Sequence, residues 1–308
     1  MGDSPLVSIL INNYNYEAFL ADAIDSALAQ SYSKVEVVVV DDGSTDASIE
    51  VIERYGDRIT PVLKQNGGQG SAFNAGLVAS RGEIICLLDA DDYFSPDKVE
   101  KVVATWANAP DAGWLFHALS DVDTQGQHLR DGLSLSAGSV DFRLAMRTGG
   151  KLPFLPATSG LCFRRKVLSK ALPMPERMHD EYLRLATIVL APGMLCSDVL
   201  AVHRIHGSNM FEGQDSIAAT RAKNNIRAAY HLRQRFPQTK TYANRLFAHS
   251  FGQLLAQWGM SRTLQIAETK QYIQTYWTVD VWMASVARTL YNYIKAIKGK
   301  SVEVSRSA

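Results

Sequence analysis

The chain has 308 residues, 46% of them hydrophobic and 20% charged, a composition ordinary for a globular protein and long enough to bury a sizeable core. Its net charge of +1 excludes a strongly basic nucleic-acid binder and an acidic disordered tail. That sum conceals a split. Residues 1–215 carry 18 Lys+Arg and 28 Asp+Glu, a net −10, whereas residues 216–308 carry 14 Lys+Arg against three acids, a net +11.

Met1–Asn15 has no basic segment leading into an apolar one, so it does not read as a signal peptide. The myristoylation pattern opened by Gly2 fails at Leu6. Leu6–Ile11 is an apolar run suited to a buried strand, and Tyr16–Gln30 has helical spacing of Phe19, Leu20, Ala23, Ile24, Ala27 and Leu28. Val35–Val40 predicts a second strand, ending in Asp41-Asp42-Gly43-Ser44-Thr45-Asp46, with Ser44 or Asp46 as a cap for a helix over Ala47–Tyr55. Ile59–Leu63 reads as a strand, Ser71–Ala79 as a helix behind a glycine-rich segment, and Glu83–Leu88 as a strand ending in Asp89-Ala90-Asp91-Asp92. Pro96 suits the first turn of a helix running to about Trp106.

This strand–helix alternation predicts an α/β protein with a mostly parallel sheet. In such sheets ligands bind beyond the carboxyl ends of the strands, where Asn12–Asn15, Asp41-Asp42 and Asp89–Asp92 all fall. No GxGxxG follows the first strand, which argues against a dinucleotide site. Over 112–215 the pattern loosens. Trp114–Leu119, Gly160–Phe163 and Leu195–Ile205 read as strands, Asp123–Gly126 as a turn and Asp180–Val189 as a helix. From Ser216 onward four helices are expected, over Ser216–Phe236, Thr239–Met260, Leu264–Tyr276 and Val281–Ile297. The expected organisation is a domain over 1–215 and a basic helical extension over 216–308. Cys86, Cys162 and Cys196 are an odd, widely spaced set, unsuited to a disulfide framework or a structural zinc site.

Three carboxylates within Asp89–Asp92 repel one another unless a cation or good solvation offsets them. All-oxygen donors favour Mg²⁺ or Mn²⁺ over zinc, and the alternative is a solvated acidic turn. Asp41 and Asp42 could accept hydrogen bonds from a base or ribose, or simply form a turn. Asn66–Gly70 is glycine-dense enough for close approach to a phosphate but lacks the GK[ST] ending of a P-loop. Asp180 could cap its helix or act as general base on a hydroxyl. Strand alternation puts Arg204 and His206 on one face.

Taken together, Val7–Ile11 with Tyr14-Asn15, Val40–Asp46, Asn66–Gly76, Leu88–Asp92, His179-Asp180 and Arg204–Asn209 resemble the family 2 glycosyltransferases of GT-A fold. The resemblance covers about residues 5–210 and rests on the order and spacing of the motifs. It implies a Rossmann-like, mostly parallel sheet flanked by helices, and an inverting, metal-dependent transfer of one sugar from a nucleotide-diphosphate donor (UDP-, GDP- or dTDP-linked) to a hydroxyl of a glycan or lipid-linked glycan. Asn12, Tyr14, Asp41 and Asp42 would meet the nucleoside. Gly70, Asn74, Asp89, Ala90 and Asp91 would line the donor site. Asp89, Asp91 and Asp92 would hold Mn²⁺ or Mg²⁺ on the diphosphate, with Arg204 and His206 near it, and Asp180 would be the base.

The sequence departs from the family pattern in having Asn12-Asn13 for Pro-Thr, Phe73 for an arginine, and His179 before Asp180 for a glutamate. The Gln-x-x-Arg-Trp motif and spanning helices of the processive enzymes are missing, which favours single-sugar transfer. A catalytically silent nucleotide-sugar-fold scaffold is the alternative, and the coexistence of Asp180 with Asp89–Asp92 argues against it. In the basic half, Trp282, Val286, Leu290, Ile294 and Ile297 make a helical stripe beside Arg288, Lys295, Lys298 and Lys300. It suits packing on the first domain or on a second copy in a homo-oligomer, or docking on an anionic membrane surface. The implied location is cytoplasmic, peripheral on the inner face of the cell membrane.

Overall fold

The computed structural model describes residues 4–131, 135–175, 177–206 and 217–306, without the side chains of 131 and 294–306. Gly2, the Gly207-Ser208-Asn209 motif and the side chains of Ile294, Lys295, Ile297, Lys298 and Lys300 lie outside the described residues.

Residues 1–143 with 152–207 form one compact unit, and 144–151 with 208–308 another. In the first, the expected alternation is present: β1 (Val7–Asn13), α1 (Glu17–Leu28), β2 (Val35–Asp41), α2 (Ser48–Glu53), β3 (Thr60–Leu63), α3 (Gln69–Ala79), β4 (Ile84–Asp89), β5 (Tyr93–Phe94) and α4 (Lys98–Ala107). There follow β6 (Trp114–Val122), β7 (His128–Asp131), β8 (Gly138–Val140), α5 (Arg143–Thr148, all but its first residue in the second unit), β9 (Leu161–Arg164), α6 (Arg165–Ala171), α7 (Asp180–Leu190) and β10 (Gly193–Arg204). The strands make one sheet in the order β3-β2-β1-β4-β9-β6-β10-β5, with β7 on β6 and β8 on β10. β1, β2, β3, β4, β6 and β10 share one direction, and β9 and the short β5, β7 and β8 oppose it.

Parallel strands with helices against both faces read as continuous apolar runs. One face buries Ile9, Ile11, Val37, Val39, Cys86 and Leu88 with α1 (Leu20, Ile24), α2 (Val51, Ile52) and α4 (Val99, Val102, Trp106). Against the other lies α3: a Cβ on Gly76 would stand 3.2 Å from Val40 and 3.4 Å from Leu10, so glycine lets this helix sit close. The shared direction brings the carboxyl ends of β1, β2, β4, β6 and β10 to one edge, and register pairs Asn13 with Asp41 and Asn12 with Asp89.

Three expectations shift. The strand over Leu161–Arg164 is antiparallel and inserted between β4 and β6. Neither Ser44 nor Asp46 is the cap of α2. That position is Ala47, and Asp46 accepts instead from the Ser48 and Glu17 N–H groups at 3.0 Å each. Helix α4 begins at Lys98 with Asp97 as its cap, one turn position after Pro96.

The second unit is helical: α8 (Ile217–Arg235), α9 (Lys240–Thr263), α10 (Ala267–Tyr276) and α11 (Val279–Arg306). Gly259, at φ +74°, kinks α9 near its expected end. The core is aromatic. Phe247 stacks on Tyr272 with ring centroids 3.9 Å apart, and Phe251 and Trp277 close round them. Small residues let the helices approach, and a Cβ on Gly252 would stand 2.6 Å from the Ser285 carbonyl. Among the described residues, no helix is long and apolar enough to cross a membrane.

Candidate active site

Strand β4 delivers Asp89 at its last position, and the turn that follows places Asp91 and Asp92 so that one oxygen from each lies within 4.8 Å of the others. Ala90 points into the core. Asp92 is fully buried, and both its oxygens are engaged: Ser159 Oγ donates to Oδ2 at 2.6 Å and the Arg204 N–H to Oδ1 at 2.9 Å. Ser159 Oγ also accepts from the Asp89 N–H at 3.1 Å. Its carbonyl accepts from the buried Lys98 at 2.9 Å, an ammonium that burial pushes down from the usual lysine value. Asp92 thus ties the turn to the start of β9 and the end of β10.

His206 Nε2 lies 3.0 Å from Asp91 Oδ2. Its ring is held by Phe19 at 4.7 Å and Tyr16 at 5.7 Å, both from the start of α1. Burial, then the charges of Asp91, Asp89 and Asp92, push the Tyr16 hydroxyl well above the usual tyrosine value. Arg204 is buried over Phe19 and Tyr93 and donates to Asp22 at 2.8 Å.

Burial, then Asp91 and Asp92, hold the Asp89 carboxyl well above the usual carboxylate range, with the Asn12 amide opposing and Asp180 adding a smaller push. Burial and Asp91 raise Asp92 likewise, against Ser159 and Arg204. A divalent cation would relieve that repulsion. The acceptors are hard oxygens, and the buried Oδ1 of Asn12, whose Nδ2 donates to Asp89 at 2.9 Å, has no hydrogen-bond partner among the described residues. The donor set therefore fits Mg²⁺ or Mn²⁺.

The glycine-rich segment at the foot of α3 is bound on both sides by the chain itself. Its Gly67 and Gly68 N–H groups donate to the buried Asp42 carboxylate, the shorter bond 2.7 Å, and Lys64 Nζ completes that site at 2.5 Å. On the other side it seats the segment leading to α7. Arg177 N–H donates to Gly67 O at 3.1 Å and Gly70 N–H to Met178 O at 3.0 Å. A Cβ on Gly68 would stand 2.9 Å from Arg177 Cα, and one on Gly70 would stand 2.8 Å from Pro175 O. Asn74 grips the Met174 backbone with both ends of its amide, at 2.8 and 2.9 Å.

Asp180 opens α7, with His179 as the cap and no side-chain capping bond. Its carboxylate lies 3.5 Å from Arg184, which also holds Glu181 at 2.5 Å and the Pro156 carbonyl at 2.6 Å. Gln69 bridges the two acidic positions. Its Oε1 accepts from the Asp180 N–H at 3.1 Å and its Nε2 donates to Asp89 Oδ1 at 3.2 Å.

Of the residues singled out in the sequence, Asn12, Asp89, Asp91, Asp92, Arg204 and His206 are therefore joined by direct contacts, and Asp180 is joined to them through Gln69. Asp41 and Asp42 lie at the neighbouring strand end with their oxygens engaged internally. Asp41 accepts from Asn13, Gly43 and Ser44. Tyr14 is exposed at the end of β1. Gly70 and Asn74 contact the segment before Asp180. Sequence reasoning missed Gln69, Ser159 and Tyr16. Gln69 stood inside a quoted motif, whereas nothing local to Ser159 marks it, because the antiparallel β9 is what brings it to the cluster.

The chain's residues 8–171 match the family model for glycosyl transferase family 2. It is 34% identical over 295 residues to an uncharacterized glycosyltransferase of Nostoc sp. strain PCC 7120, covering 90% of this chain and 86% of that one. In fold it is similar to Staphylococcus aureus TarS 1–349 in complex with UDP-GlcNAc, with TM-score 0.63, 16% identity and coverage of 96% of this chain and 92% of that one. It is also similar to the mannosyltransferase PcManGT of Pyrobaculum calidifontis in complex with GDP-Man and Mn²⁺, with TM-score 0.54, 18% identity and coverage of 94% and 88%. With the strand-end carboxylates and the sheet of a GT-A protein on one chain, and with more than half of that chain matching the family model, this protein belongs to glycosyl transferase family 2.

Proposed function

We propose that the protein moves one sugar, with inversion, from a nucleotide-diphosphate donor to a hydroxyl of a glycan or lipid-linked glycan. The observation that supports this reading is the Gln69 bridge, which joins a carboxylate suited to a cation to the N–H of Asp180, the proposed base. Asp89, Asp91 and Asp92 would hold Mn²⁺ or Mg²⁺, with Ser159 and the Arg204 N–H, each bonded to Asp92, steadying the turn. When bound, the ion offsets charge on the departing diphosphate. His206 fixes the Asp91 carboxylate against Tyr16 and Phe19. Asp42 and Asp41 shape the pocket for the nucleoside beside Tyr14, and the 174–178 segment, held by Gly70 and Asn74, sets the height of Asp180. Asp180 accepts the acceptor's proton as the acceptor oxygen bonds to the anomeric carbon. The bond from that carbon to the phosphate oxygen breaks, and the nucleoside diphosphate leaves with the electron pair. A single displacement of this kind inverts the centre. UDP-GlcNAc on TarS and GDP-Man on PcManGT make UDP- and GDP-sugars the first donors to try. The helical unit is proposed to dock on the anionic inner face of the cell membrane, where a lipid-linked acceptor would lie.

Nucleotide release from a panel of UDP-, GDP- and dTDP-sugars, with Mn²⁺ or with EDTA, tests the metal. Release is expected to vanish in EDTA and in Asp91→Ala, and release that persists in either overturns the assignment. Asp180→Asn is expected to lower transfer to a true acceptor about 10²–10⁴-fold while donor binding stays. Full activity in that variant would rule Asp180 out as the base.

A further inference from the structure

The helical unit contains a cleft that the catalytic reading does not use. It encloses about 410 Å³ and is lined by Lys223 and Arg227 of α8, Trp258 and Arg262 of α9, and Gln265–Glu268 where α10 begins. Four-residue spacing puts Lys223 and Arg227 on one face of α8, and across the hollow from them stands Arg262, which follows the Gly259 kink of α9. The first turn of α10 borders the same hollow at Ala267 and Glu268.

The charge inside this cleft is unbalanced. Glu268 is its one acid. Burial pushes that carboxyl up, but His231, its own backbone N–H and Arg227 together hold it below the usual glutamate value, so it is ionised near neutrality. The Glu268 oxygens lie 3.6 Å from Arg227 Nε and 3.9 Å from His231 Nε2, beyond good hydrogen-bonding distance. The buried Arg227 Nε has no hydrogen-bond partner among the described residues. Glu268 thus faces Arg227 at long range, and Lys223 makes no ion pair among the described residues. Arg262 lies over the Trp258 ring at 4.2 Å, which fixes its guanidinium at the wall of the cleft.

We infer that this cleft binds a phosphate group carried on an organic moiety. Guanidinium and ammonium groups converging on one hollow suit a compact, multiply charged oxyanion. An extended polyanion would need a long basic track instead. The volume leaves room for the attached group beside Trp258. This site stands on the helical unit alone, so it holds or fails independently of the proposed transfer reaction.

Calorimetric titration of the full-length protein with inorganic pyrophosphate in EDTA tests it, because without metal the acidic cluster repels the same ligand. Saturable binding is expected, weakened at least tenfold in Lys223→Met, which removes a charge without stranding a partner. Arg262→Gln is expected to weaken it similarly. Melting curves that match the wild type establish that the variants are folded. No saturable binding by the wild type, or wild-type affinity in folded Lys223→Met and Arg262→Gln, overturns the site. The source of the phosphate is separated by co-sedimentation with phosphatidylcholine vesicles containing phosphatidylglycerol. Pelleting that Lys223→Met loses marks a lipid headgroup, and pyrophosphate binding without Lys223-dependent pelleting marks a soluble phosphate.

Discussion

Gln69 sets how the two acids of the site relate. Its amide has one donor and one acceptor end, and the structure uses each on a different element: Nε2 on Asp89 at the end of β4 and Oε1 on the Asp180 N–H at the start of α7. Leucine has similar bulk but neither end. Gln69→Leu is therefore expected to lower kcat about 10–100-fold, the usual loss when a residue supporting a metal ligand is removed, with the donor KM little changed and more Mn²⁺ needed for half-maximal rate. Steady-state kinetics across a Mn²⁺ series checks this, and unaltered metal dependence counts against the bridge. At this scale the sequence was informative where chemistry is local. Asp89, Asp91 and Asp92 are three of the four residues of one turn, and their mutual repulsion is visible in any string of letters. Ser159 and Tyr16 reach the same cluster from 67 and 75 positions away, as the Ser159–Asp92 bond and the ring of residues round His206 make plain. Asp42 shows the opposite case. Its type and place suit a ligand, and Gly67 and Gly68 suit a phosphate, yet each satisfies the other inside the protein.

Among the elements, the parallel strands were legible because burial on both faces forces continuous Val, Ile and Leu runs, as in Val35–Val40. The antiparallel β9 was legible as a strand but not as an insertion. Four residues, Leu161–Arg164, carry no mark of direction. Short β5, β7 and β8 fell below any periodic signal. A partly buried acid also sets how these elements join. Glu36, on β2, accepts from Ser8 on β1 at 2.6 Å and from the Gly82 N–H before β4 at 3.0 Å, so one carboxylate pins three adjacent strands. Burial pushes it up, but those bonds and Arg81 outweigh that and leave its pKa below the usual glutamate value. A depressed folded-state pKa contributes stability that is present above the unfolded value and lost as pH falls through the folded one. Glu36→Gln is expected to cost about 1–3 kcal/mol near neutrality. The gap should narrow below about pH 4, around the unfolded glutamate pKa. Urea melts of both proteins across that range measure it, and a gap that widens in acid would show that Glu36 is protonated in the native state.

On the scale of the whole chain, the charge split survives regrouping by compact unit. Residues 1–143 with 152–207 hold 16 Lys+Arg against 26 Asp+Glu, and residues 144–151 with 208–308 hold 16 against five, again −10 and +11. The expected boundary near 215 did not foresee that 144–151 goes with the helices. That segment is five residues of helix, two glycines and Lys151, too short for periodicity to assign, and it is Arg245 donating to the Gly149 carbonyl, with Thr241 packed against the same glycine, that places it. The acid of the first unit has a use in the strand-end cluster. The base of the second meets an apolar face instead. Along α11, Val281 and Ser285 are buried, while Trp282, Met283, Val286, Leu290, Tyr291 and Tyr293 are exposed and Arg288 stands among them. Aromatic rings beside cations suit the boundary between headgroups and acyl chains, where burial and attraction to anionic lipid act together. The two contributions separate by salt. The Debye length is about 8 Å at 0.15 M, so the electrostatic part weakens with ionic strength while the apolar part does not. The protein is expected to pellet with vesicles containing phosphatidylglycerol at low salt and to release progressively as salt rises. Trp282→Ser with Leu290→Ser should weaken pelleting at every salt concentration without changing the slope. Absence of pelleting at low salt, or a concentration-dependent dimer in sedimentation velocity that the double substitution abolishes, would assign this face to a second copy of the chain instead.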